Sequence, residues 1–237
     1  MELNMDAHIQ LCGKYSENIL DAFITEAQDK GHEEIVVLEP SYLFFEFAPL
    51  YREAISSYPC QKQWYENSKK YSLKEYQDFV NLMRKKDFPI TVRFGICVDY
   101  FTQHESLIRN IRASYTFDRW VGYIRFLDNI AYDWKESDMM LWNKYNAGFL
   151  YRRYYEMLYA MITSDLFDGI KGFDSLYHLH KTHNYSLSHT YKKLATLLVV
   201  HHMYVENDVA NQGLSEEFKA LCNTKRIPML PCSYTTL

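Results

Sequence analysis

The sequence predicts an α/β fold, a closed or distorted seven-stranded (β/α) barrel, from three observations. Short apolar or β-branched runs alternate with stretches of helical spacing, seven such runs are present, and no Pro/Gly-rich linker, repeat or low-complexity tract divides the 237 residues. A chain of this length supports one substantial core. Residues 1–237 are therefore read as a single domain.

The expected strands are Leu3 to Ile9, Glu34 to Leu38, Ile90 to Val98, Trp120 to Phe126, Gly169 to Gly172, Leu197 to Val205 and Ile227 to Leu230. Between them Ile19, Phe23, Ile24 and Ala27 recur at helical spacing, with Gly31 as the stop. Leu73, Tyr76, Phe79, Val80 and Met83 repeat the pattern before Pro89. Helices are also expected over Tyr151 to Ile162 and Ser188 to Thr196, and after a capping Ser215.

Composition narrows the function classes. Apolar residues make up 48% and charged ones 24%, as in globular domains, but 21 Tyr and 14 Phe are an unusual aromatic load, which points to core or interface. A net charge of -4 with scattered Lys and Arg gives no footprint for nucleic acid. The longest apolar run, Leu194 to Val200, is far shorter than the roughly 20 residues that span a bilayer, and MELNMD does not read as a leader. The expectation is a cytoplasmic protein with no membrane partner. Cys12, Cys60, Cys97, Cys222 and Cys232 are widely spaced, which predicts reduced thiols.

In (β/α) barrels chemistry gathers where the C-terminal ends of the strands meet the following loops. Those ends bring forward His8, Glu39, Cys97, Arg125, Phe173, Glu206 and Tyr234.

Four stretches then carry a resemblance: DAHIQ at Asp6 to Gln10, GICVDY at Gly95 to Tyr100, GYIRFLD at Gly122 to Asp128, and RRYYEMLYAMITSDLFDGIKGFDSL at Arg152 to Leu176. In order and spacing the chain resembles the polymerase and histidinol phosphatase (PHP) family, in its histidinol-phosphatase branch. The resemblance implies a distorted, TIM-barrel-related barrel whose strand ends hold several divalent metals that activate a water against a phosphate ester. Of the implied ligand positions His8 alone keeps its residue. The others fall on Gln10, Lys14, Pro40, Cys97, Arg125, Phe173, Tyr234 and Thr236.

Lys14 and Arg125 reverse the charge logic of a metal centre, since two unit charges about 4 Å apart interact by about 4 kcal/mol at an effective dielectric near 20. The leading expectation is a catalytically degenerate PHP-like barrel with no cofactor and no catalytic residue. A phosphorylated metabolite or anion would sit in the former active site among His8, Gln10, Lys14, Glu39, Cys97 and Arg125. Beside it stands the reading that Arg125 simply pairs with Glu39 or Asp99. A divergent phosphoric monoester hydrolase, with Zn, Mn or Fe in an altered site, is the second expectation, and a structural subunit of a complex the third.

Smaller alternatives are a Cys97–His8 nucleophilic pair, Glu39 as general base, and a rebuilt metal site at His178, His180 and His183. His201 and His202 fall within the expected sixth strand and face opposite sides. The aromatic stretch Tyr42 to Tyr51 is read either as a cap over the pocket or as a surface for a homo-oligomer or other protein partner.

Overall fold

The computed structural model describes residues 6–179, 186–208 and 213–236, with Asp6 and residues 233–236 described by backbone alone. Seven strands close a barrel: β1 (Asp6–Gln10), β2 (Glu34–Pro40), β3 (Thr91–Asp99), β4 (Arg119–Tyr123), β7 (Gly169–Lys171), β8 (Tyr204–Asp208) and β9 (Met229–Thr236). Strands β5 (Phe126–Leu127) and β6 (Ile130–Ala131) form a separate hairpin. Every barrel pair is parallel, and β9 closes the circle on β1 with His8 opposite Tyr234. Helices return the chain between strands, as parallel pairing requires.

Local chemistry sets the element ends. The helix Glu17–Asp29 starts on Ser16, whose side chain accepts from the Ile19 amide, and stops before Gly31 at a φ of 79°. Ser72 caps Leu73–Met83, Asn146 caps Ala147–Thr163 and Ser215 caps Glu216–Lys225. Three expected strands have other bounds, the last of them being β9, which runs from Met229 to Thr236 and not from Ile227 to Leu230. The apolar run from Leu197 belongs to the helix Ser188–Val200, and β8 begins only at Tyr204. His201 and His202 thus lie in the turn between them, His202 at a φ of 53°, and His201 Nδ1 lies 2.6 Å from Asp165 Oδ1. The fourth strand stops at Tyr123, because Asp128 and Asn129 both take positive φ and fold Phe126 into the β5–β6 hairpin. The first strand is seen from Asp6, since residues 1–5 lie outside the described residues.

Two apolar clusters follow from the period-2 alternation of the strands. Ile35, Val37, Phe94, Ile96 and Ile170 face the helices in a large aromatic-rich core. Val36, Leu38, Cys97, Val121 and Tyr123, with Tyr204 against them, fill the barrel lumen. Among the described residues no helix is long and apolar enough to cross a membrane.

Candidate functional site

Alternation also decides which strand-end groups reach the lumen. Lys171, Glu206 and Asp208 stand on β7 and β8 at the C-terminal face, and with Tyr123, Asp133 and His178 they line a cavity of about 570 Å³. His178 Nε2 lies 2.7 Å from the Gly213 carbonyl, which joins the loops on either side of the cavity. Beneath it His8 is buried at 1% exposure, with Nδ1 3.5 Å from Glu206 Oε1. Burial, with the positive charges of Lys171 and Arg119, pushes the His8 imidazole down to about 3, so it is neutral.

The six residues expected to form one anion pocket do not all face one space. Lys14 is exposed in a turn made by Cys12 and Gly13, both at positive φ, and its amide donates back to Leu11. Glu39 faces away from the lumen, opposite in parity to Leu38, and its carboxylate accepts from the Leu11 and Cys12 amides. It is therefore a brace for the β1 loop, and the Glu39–Arg125 pairing is not formed. Cys97 is a lumen core residue whose thiol burial pushes up to about 12, which removes the thiolate that a nucleophile needs.

Arg125 is taken up by Asp99, its Nε 3.1 and 3.0 Å from the two carboxylate oxygens. The Tyr51 hydroxyl donates to the same carboxylate at 2.9 Å, and the rings of Tyr123, Tyr42 and Trp64 surround the guanidinium at 5.0, 5.4 and 5.7 Å. The ion-pair reading with Asp99 is the one observed. Gln10 is half-buried two residues after His8 on the same face of β1, and Cys97 lies in the lumen close enough to Lys171, Glu206 and Arg125 for their charges to act on its thiol.

The aromatic stretch is consumed inside the chain. Phe44, Phe47, Leu50 and Tyr51 are fully buried, Phe44 stacks on Tyr76, and Tyr51 meets Trp64 and Phe101, while Phe45 stays 60% exposed. The segment covers the Arg125 side of the barrel top. Of the three loop histidines, His180 and His183 lie outside the described residues.

No family model matches the sequence, and no curated protein sequence matches it. A crystal structure of histidinol phosphate phosphatase from Lactococcus lactis, complexed with zinc, L-histidinol and phosphate, superposes with a TM-score of 0.66 at 16% identity, covering 98% of this chain and 85% of that one. The barrel has a histidinol-phosphatase-like fold. A cryo-EM structure of archaeal ribonuclease P with mature tRNA gives 0.50 at 9% identity, covering 98% of this chain and 74% of that one. At these identities the likeness extends to the fold alone, a PHP-like parallel barrel.

That fold raises the question of a multinuclear metal centre, and the side chains at the equated positions do not fit one. Pro40 and Phe173 offer no ligand atom, Phe173 being buried against Phe218 with ring centroids 3.8 Å apart. Arg125 is a cation locked to Asp99. Of the polar groups that face the cavity, Glu206 is among the strand-end residues that the sequence brings forward, whereas Lys171, Asp208 and Asp133 are not. For Lys171 the signal is a charged residue at the inward position that ends a short apolar strand, whereas Asp133 lies in the turn after β6.

Proposed function

We propose that this chain is a PHP-type barrel without the multinuclear phosphatase centre, which binds a small phosphorylated metabolite in the cavity at the C-terminal face. The supporting observation is the placement of Lys171 at the end of β7, inside a cavity of about 570 Å³ that it shares with Glu206, Asp208 and Asp133. The lysine offers a point charge to a phosphate. Three carboxylates against one lysine disfavour a bare anion and suit a ligand that also carries a cationic group. L-Histidinol phosphate has both, and a neighbour in fold is described with its two halves.

Calorimetric titration of the full chain with L-histidinol phosphate, L-histidinol and inorganic phosphate tests the reading. The intact ester is expected to bind more tightly than either half, and Lys171→Met to weaken it about tenfold, the loss of one charge-assisted hydrogen bond. No heat at millimolar ester overturns the ligand assignment. Hydrolysis of the ester that a chelator abolishes overturns the non-catalytic reading in favour of a divergent phosphatase.

A further inference from the structure

Below the cavity floor, three buried groups converge from three neighbouring strands. His8 comes from β1, Glu206 from β8 and Cys232 from β9, and one ligand atom of each lies within 4.8 Å of the others. Their exposures are 1%, 2% and 0%. Strand β9 runs between the other two, with Cys232 opposite both Asp6 of β1 and Asp208 of β8. Residues two apart on a strand share a face, so this register brings His8, Glu206 and Cys232 to one side of the sheet. Cys232 and Glu206 match none of the ligand positions implied by the resemblance.

From this convergence we infer that His8, Glu206 and Cys232 form a mononuclear zinc site, with its fourth position facing the cavity. The donor set decides the ion. An imidazole nitrogen, a thiolate and a carboxylate suit zinc or cobalt and discriminate against magnesium and calcium, which require oxygen ligands. Around one tetrahedral zinc, donors stand ~3.4–3.7 Å apart from bond lengths of roughly 2.0–2.3 Å. The 3.5 Å between His8 Nδ1 and Glu206 Oε1 already meets that spacing.

Charge supports the same conclusion. A Cys232 thiolate and the Glu206 carboxylate offset a dication, the thiol proton being released to solvent as the metal enters. Lys171 and Arg119 lie close enough to act on His8 and oppose the ion, so the thiolate is the donor on which affinity depends. Glu206 is the member that also lines the cavity, which directs the open coordination position toward Lys171 and any bound anion.

The test needs no enzymatic activity. Chelator-treated full-length protein is titrated with Co²⁺, read by the near-ultraviolet thiolate-to-cobalt charge-transfer band, and with Zn²⁺ in competition. One ion per chain with a thiolate band is expected. Cys232→Ser should abolish the band and weaken Zn²⁺ at least tenfold, whereas Cys222→Ser, which alters a buried cysteine of the helix-facing core, should leave both unchanged. Glu206→Gln, nearly isosteric, serves if Cys232→Ser does not fold, and should also weaken Zn²⁺ at least tenfold. Absence of the band, or a band and affinity unaltered in Cys232→Ser or Glu206→Gln, overturns the site. The titration contains no metabolite, so its failure leaves the ligand proposal standing, and the reverse also holds.

Discussion

Arg125 and Lys14 carry the same charge but have opposite surroundings. Lys14 is exposed, and Lys14→Ala is expected to change stability by no more than about 0.5 kcal/mol. Arg125 neutralises Asp99, which is only 1% exposed, so Arg125→Ala strands a buried carboxylate and should cost about 3 kcal/mol in urea unfolding. A loss below about 1 kcal/mol would mean that the pair is solvated. Glu39 makes a pH-dependent prediction. Burial raises its carboxyl from 4.5 to about 7, against the amides of Leu11 and Cys12 and the hydroxyl of Tyr15, which favour the charged form. The folded state therefore holds a proton that the unfolded chain releases. Its contribution is fully present below about pH 4.5 and is lost as pH rises toward 7, by about 3 kcal/mol. The stability of wild type minus that of Glu39→Gln should fall across this window and be flat above it, and a level difference curve from pH 4.5 to 7 would refute the assignment.

Strand β4 and the helix Ala147–Thr163 meet at Gly122, where a Cβ would lie 2.5 Å from Met161 Sδ and 3.0 Å from the Phe167 ring. Gly122→Ala is accordingly expected to destabilise by about 1–3 kcal/mol, through overpacking and not through backbone strain, as thermal unfolding can verify. At this scale β2 and β3 were legible as apolar runs and the helix around Tyr154 as a 3.6-residue pattern, because both are buried on the faces that their periodicity indicates. The run Leu197 to Val200 was not, because four apolar residues fit a strand or a helix end equally well. Here it extends the helix, leaving Val199 and Val200 exposed at 44% and 63%. The site was less legible than the fold. Where Lys14 goes depends on the left-handed turn at Cys12 and Gly13, and hydrophobic periodicity does not encode a loop conformation. Glu206 was legible as a strand end, and Lys171 was within reach of the parity rule applied to β7, which needs no knowledge of loops.

Across the whole molecule, stability and chemistry occupy different places. The helix-facing core and the lumen cluster contain the rings and aliphatic chains, whereas the cavity is built from charged residues at the strand ends. A barrel arranged in this way keeps its fold when rim residues change, so likeness to a phosphatase carries the scaffold and not the reaction. What the rim can do is then a matter of charge balance. Glu206, Asp208 and Asp133 outnumber Lys171 at the cavity wall, so the phosphorylated ligand proposed for it is favoured by a compensating cation. That cation is either carried by the ligand as an amine or held below it by His8, Glu206 and Cys232. The first arrangement makes the chain a metabolite receptor that works without metal, and in the second ligand affinity rises with zinc occupancy. Titrating the ester into apo and zinc-loaded protein separates the two, since only in the second does the metal change the measured affinity.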